Sequence, residues 1–133
     1  MKTLKRNILK SVLFICLGLT ISTIVFASTR EPLDPPGRPG RPLITDFWKT
    51  GCDLSWTEPK SDGGTPITGY LIEVKHKYSW TWDKKAIVPG NLLACTIESM
   101  EEGTSAEFRV IACNKVGFGE PSEASPQITF KDR

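Results

Sequence analysis

Apolar and polar residues alternate with period two along several short stretches, as in Cys52-Asp53-Leu54-Ser55-Trp56, Tyr70-Leu71-Ile72-Glu73-Val74-Lys75 and Phe108-Arg109-Val110-Ile111-Ala112. Side chains of an extended strand point alternately to opposite faces, so this pattern predicts strands with one buried and one wet face. Gly and Pro interrupt the sequence at Pro35-Pro36-Gly37, Pro39-Gly40, Pro59, Asp62-Gly63-Gly64, Pro66, Pro89-Gly90, Gly103, Gly117, Gly119 and Pro121. The segments between them are too short for stable helices. Strands are predicted at 43–48, 51–57, 68–76, 79–87, 92–98, 105–114 and 125–131, and short strands with regular turns predict an all-β antiparallel sandwich.

Strand phase assigns the two faces. Ile44, Phe47, Cys52, Leu54, Trp56, Tyr70, Ile72, Val74, Ile97, Phe108, Val110, Ala112 and Ile128 point inward, enough for a single core between two sheets. Asp53, Ser55, Glu73, Lys75, Glu107 and Arg109 point to solvent, and the same phase leaves Trp48 outside.

A different pattern precedes residue 30. Lys2, Lys5, Arg6 and Lys10 lead into a stretch from Ser11 to Thr29 that carries no charge and contains Val12-Leu13-Phe14-Ile15 and Ile24-Val25-Phe26-Ala27. A basic start, an apolar run and small residues at Val25 and Ala27 are the layout of a secretory signal peptide, cleaved before Ser28. Retained, the same run is a membrane anchor. The expected division is therefore leader 1–27, Pro/Gly-rich linker 28–41 and domain 42–133. Charge reads differently once this division is made. Of the 17 cations, removing the leader's four leaves 13 against 15 anions, a formal −2, which argues against a nucleic-acid partner. No Asn-x-Ser/Thr sequon occurs.

Pro35-Pro36-Gly37 and Pro39-Gly40 before the first strand, Leu54-Ser55-Trp56 with Pro59, and Asp62-Gly63-Gly64-x-Pro66-Ile67-x-Gly69-Tyr70 together resemble a fibronectin type III domain. Phe108-Arg109-Val110-x-Ala112-x-Asn114-Lys115-x-Gly117-x-Gly119-Glu120-Pro121-Ser122-Glu123 extends the likeness, which covers residues 35–132 and most resembles the modules of the titin and twitchin giant muscle proteins. The resemblance implies a seven-stranded immunoglobulin-like β-sandwich. It also exposes departures. Ala106 stands where members usually carry a tyrosine whose hydroxyl ties a corner, so Ala106→Tyr is expected to stabilise the domain. A secretory leader before one module does not suit a cytoplasmic muscle array, and Trp48 occupies a position that is commonly polar.

The chemistry of the chain is sparse. His76, between Lys75 and Lys77, is the sole histidine, and nothing else supplies a triad or zinc spacing. No enzyme, metal site or cofactor is expected. Gly117-Phe118-Gly119 lies between strands with no helix after it, which suits a hairpin rather than a phosphate loop. Phe118 at that tip, Trp48 and Trp80 are the candidate protein-binding residues. Trp80 and Trp82 are expected to share one face of the 79–87 strand. With Cys16 gone, Cys52, Cys95 and Cys113 remain, an odd number. Phase turns Cys52 and Cys95 inward as buried thiols and Cys113 outward as a free thiol able to link a dimer. The core is expected to rest on Trp56, Leu54, Tyr70, Ile72, Phe108 and Val110.

The expected function is an extracellular protein-binding or adhesion module, secreted, or membrane-bound if the leader is uncleaved, with a protein partner. The alternative is a piece of a titin- or twitchin-like scaffold in the sarcomeric cytoplasm, joined to an unrelated start.

Overall fold

The first hairpin shows why these residues pair as they do. In a computed structural model that describes residues 31–133, β1 (Leu43–Trp48) and β2 (Gly51–Ser55) run antiparallel with Trp48 opposite Gly51. A Cβ on Gly51 would meet the Trp48 indole at 3.0 Å and collide with the Ile97 carbonyl. The missing side chain lets the indole lie across the hairpin, and Trp48, though outward in phase, is half-buried. The leader read at 1–27 and the start of the 28–41 linker lie outside the described residues.

The order continues with β3 (Gly69–His76), β4 (Asp83–Pro89), β5 (Ala94–Ile97), β6 (Ser105–Cys113) and β7 (Ile128–Thr129). Two antiparallel sheets result, β1-β2-β5 and β4-β3-β6-β7. Between them Cys52, Leu54, Trp56 and Ile97 of one layer meet Tyr70, Ile72, Val74, Phe108, Val110 and Ala112 of the other, all buried. Trp56 sets its edge on Tyr70, ring centroids 5.5 Å apart at 64°, a geometry favoured by the ring quadrupoles. Met100, Ala106 and Phe130 also belong to the core; Ala106 shares the phase of Phe108 and Phe130 that of Ile128, whereas Met100 lies outside every predicted strand.

Two segments depart most from the predicted strands, and in both hydroxyl side chains bond to the backbone, locally in the first and across 12 and 17 positions in the second. Instead of starting at 79, β4 starts at Asp83. Ser79 N–H donates to the His76 carbonyl, and Ser79 Oγ accepts from Thr81 N–H at 3.1 Å. Trp80 and Trp82 thus stand in a turn and do not share a strand face. The predicted 125–131 strand shrinks to Ile128–Thr129 because serine side chains replace backbone pairing before it. Val110 N–H donates to Ser122 Oγ and Phe108 N–H to Ser125 Oγ, both at 2.9 Å.

The Pro/Gly-rich segment is tied to the body from Asp34 onward. Asp34, Gly37 and Gly40 donate their N–H groups to the carbonyls of Gly63, Ser61 and Thr57 at 2.9–3.0 Å. Gly63 has φ 84°, and a Cβ there would strike the Asp34 carbonyl. The second glycine of Asp62-Gly63-Gly64 also has a left-handed φ, 93°.

Candidate functional site

The sandwich presents its chemistry at three places: the turn between β3 and β4, the outer face of the four-stranded sheet, and the loops beside the N-terminal strap.

In the first, Lys77-Tyr78-Ser79-Trp80-Thr81-Trp82 leaves the sheet. Tyr78 is 88% exposed and Trp80 97%. Lys77 Nζ lies 5.4 Å from the Tyr78 ring centroid. The neighbouring stretches His76–Ser79 and Gly103–Ser105 border an open cleft of about 460 Å³, held together by the bond from Lys77 N–H to the Ser105 carbonyl. His76 is exposed beside it. Trp80 therefore stands free of the protein body, whereas Trp82 folds back so that the Arg109 guanidinium lies 4.4 Å from its ring centroid. Tyr78, in the turn left between the predicted 68–76 and 79–87 strands, is missing from the sequence-derived candidates.

Cross-strand register builds the second place. Residues directly opposite in an antiparallel pair share a face. One row of the outer face runs Pro89–Gly69–Cys113–Phe118, and the next Ile87–Leu71–Ile111. Neither row carries a charge. Two charged pairs of β3 and β6 follow: Arg109 Nε donates to Glu73 at 2.7 Å, and Lys75 Nζ lies 3.7 Å from Glu107. Ile87 and Phe118 are more than half exposed, while Ile111 is almost covered. This face brings together Phe118 and Cys113; Trp48 belongs to the other sheet and Trp80 to the turn.

Buried Asn114 holds the third place. Its Nδ2 donates to the carbonyls of Asp34 and Asp62, each at 2.8 Å, and its Oδ1 accepts from Val116 N–H at 2.8 Å. One side chain thus ties strap, glycine turn and hairpin tip. The asparagine is visible in the sequence, but partners as far as 80 positions away are not.

The thiols sit in different surroundings. Cys52 lies opposite Ile97 and Cys95 opposite Leu54, diagonal neighbours on the inner face. Burial, then the nearby Cys95 and Asp53 charges, pushes the Cys52 thiol up to about 12. Burial and then Asp53 take Cys95 to about 11. Cys113, half-buried on the outer face, has its Sγ 3.6 Å from Thr68 Oγ1. All three are free cysteines.

Two antiparallel sheets of three and four strands, a Trp–Tyr core contact and the glycine turns define an immunoglobulin-like sandwich module. The chain belongs to the fibronectin type III domain family, whose model matches residues 37–128. Cardiac-type myosin-binding protein C of Mus musculus is 36% identical over 97 residues, 73% of this chain and 8% of that protein. Protein sidekick-1 of Mus musculus is 40% identical over 97 residues, 71% of this chain and 4% of that protein. The chain therefore spans less than a tenth of the length of these relatives. The crystal structure of titin domains A168–A170 superposes with a TM-score of 0.71 at 34% identity, covering 75% of this chain and 34% of that one.

Proposed function

We propose that the chain is a non-catalytic protein-binding and adhesion module acting outside the cytosol, and that the β3–β4 turn makes the contact. The observation that carries this reading is the pair Tyr78 and Trp80, 88% and 97% exposed on one short turn. Large stiff aromatics bury much area while losing few rotamers, and Trp and Tyr are enriched among residues that dominate binding energy. The open cleft beside them gives a partner side chain somewhere to sit. The basic, apolar start of the sequence supports export.

The full chain, expressed in eukaryotic cells, is sized in medium, membrane and cytosol, and the product is coated on a surface to measure cell attachment. Export and attachment are expected, with attachment lost in a Tyr78→Ser/Trp80→Ser variant of unchanged melting midpoint. Equal attachment by both proteins would remove the turn from the reading. A second reading, a piece of a muscle scaffold, is favoured by the likeness to myosin-binding protein C and titin modules. An uncleaved product soluble in the cytosol would decide for it.

A further inference from the structure

We propose that the end of the sandwich at which the chain enters is a lipid-contacting pole. With the apolar leader retained as an anchor, this pole docks on a neutral bilayer and the β3–β4 turn points away from it. The proposal deepens the adhesion reading and rests on the export which that reading includes. β3 fixes the two poles. Gly69 at its start lies opposite Pro89 and Cys113, and His76 at its end lies opposite Ala106. The 89–93 turn, the tip after Cys113 and the 62–64 glycine turn therefore share the Gly69 pole, where Gly90 N–H donates to the Thr68 carbonyl and Asn114 Nδ2 to the Asp62 carbonyl. The 77–82 turn stands at the other pole, ~24 Å away along the rise of β3.

Apolar surface gathers where the chain enters. Among the described residues nine large apolar side chains are exposed, and five of them, Leu33, Leu92, Leu93, Val116 and Phe118, lie at the Gly69 pole. Leu33 rests over Gly64, where an added Cβ would sit 3.2 Å from its Cδ2. Phe118 borders the strap at Asp34, Pro35 and Pro36. The tip is held rigidly: Asn114 Oδ1 accepts from Val116 N–H at 2.8 Å, and Gly119 N–H donates to the Ala112 carbonyl at 2.9 Å. Apolar patches on a fixed backbone mark contacts.

The sequence before the strap says what covers this one. Ser11 to Thr29 is nineteen residues without a charge, enough to cross a bilayer core. Lys2, Lys5, Arg6 and Lys10 ahead of a retained run keep its start in the cytosol and put the sandwich outside. Asp34, whose N–H is tied to the Gly63 carbonyl, comes five residues after Thr29, and five residues reach at most ~18 Å. The anchor thus draws the Gly69 pole to the lipid surface. Tethering raises the effective concentration of the patch there, so a contact too weak to hold a free domain is occupied. Charge selects neutral lipid. The strap and tip carry Glu31, Asp34 and Glu120 against Arg30, Arg38 and Lys115, and the loop between them adds Glu58 and Asp62 against Lys60. With no cationic excess, burial of apolar side chains rather than attraction to anionic headgroups drives the docking.

The test uses the full chain from the membrane fraction of eukaryotic cells, carrying Cys16→Ser and Cys113→Ser, in phosphatidylcholine nanodiscs. An environment-sensitive fluorophore is attached at Lys115→Cys in one protein and at Lys77→Cys in another, both exposed positions at opposite poles. Phosphatidylcholine bearing a nitroxide high on its acyl chain is expected to quench the probe at 115 and not the probe at 77. Quenching should be lost in a Val116→Asp/Phe118→Asp variant of unchanged melting midpoint. An unquenched probe at 115 overturns the proposal, and equal quenching at both positions overturns the orientation. Quenching that survives in the aspartate variant assigns the contact to other residues, and quenching that needs phosphatidylserine makes it adsorption by charge; either overturns it. So does recovery of the whole product in the medium with its leader cleaved, a result that leaves attachment through Tyr78 and Trp80 standing. Failure of that attachment leaves the quenching unchanged.

Discussion

Replacing Trp56 tests the core most directly, because its ring packs well and its polar atom does not. The indole is 5% exposed and meets Tyr70 edge-on, yet buried Nε1 finds no acceptor among the described residues. Trp56→Ala removes the ring and is expected to cost about 3–5 kcal/mol, with a further ~0.5–1.5 kcal/mol for the aromatic contact. Against a domain stability of about 5–15 kcal/mol, that is unfolding or close to it. Trp56→Phe keeps a six-membered ring for Tyr70 and forfeits about 1–2 kcal/mol of burial at ~25 cal/mol per Å². It also removes an unsatisfied donor whose burial costs about 1–3 kcal/mol. The two nearly cancel, so the Phe variant should lie within about 1 kcal/mol of wild type. Urea melts at unchanged slope measure both. If Phe is as damaging as Ala, the N–H has a partner and the accounting for this ring is wrong. If Ala is harmless, the strand phase of β2 fails with it.

Ala106→Tyr, expected from the family pattern to stabilise, should instead cost about 1–3 kcal/mol of overpacking, read as a lower urea midpoint at unchanged slope, since Ala106 has no exposed surface and buried Met100, Ile128 and Phe130 share its core. Native protein at low concentration should take up a thiol reagent at Cys113 while Cys52 and Cys95 stay unlabelled, read by mass spectrometry; label appearing first at Cys52 refutes the core position of β2. Cys52 and Cys95 hold their protons in the fold to about 12 and 11 against 9.0 unfolded. Below pH 9 both states are protonated and stability is unaffected, whereas above it the unfolded chain alone releases protons. Stability therefore falls as pH rises from 9 towards 12, and Cys52→Ala should flatten that part of the pH profile. Asn114→Asp keeps the acceptor but loses two donor bonds, and should raise amide exchange at Gly37 and Gly40 while leaving β3 protected.

Alternation made the core legible in the sequence wherever a strand has one wet face, as at Leu54, Ile72 and Val110. It misplaced the start of β4 because Ser79-Trp80-Thr81-Trp82 alternates in the same way, and period two cannot distinguish a strand from a turn whose hydroxyls bond locally. Met100 was hidden for another reason: it lies outside every predicted strand and is buried by the return of the chain, whereas Phe130 shares the phase of Ile128. The candidate surfaces were half legible. Exposed aromatics can be counted in a sequence, but Leu71 beside Ile111 and Cys113 beside Phe118 are facts of register, and register is set by the fold. Tyr78 had no signal apart from its neighbours.

The hydroxyls of Ser122 and Ser125 have a consequence for the chain in a crowded solution. A sheet edge whose amides lack partners is a template on which another chain can add a strand, the route to swapped and fibrous assemblies. Along β6 that template is closed. Ser122 and Ser125 N–H groups bond to the Val110 and Phe108 carbonyls while their side chains take the Val110 and Phe108 N–H groups. The covering segment is itself a poor template, since each hydroxyl donates onward to the carbonyl of the next residue, at Glu123 and Pro126, and Pro121 and Pro126 have no N–H to offer. Beyond the short pairing with β7 at Ser105 and Ala106, the serines' hydroxyls and N–H groups rather than a regular strand finish the sheet, and they leave this border without a rung for a foreign peptide to grip.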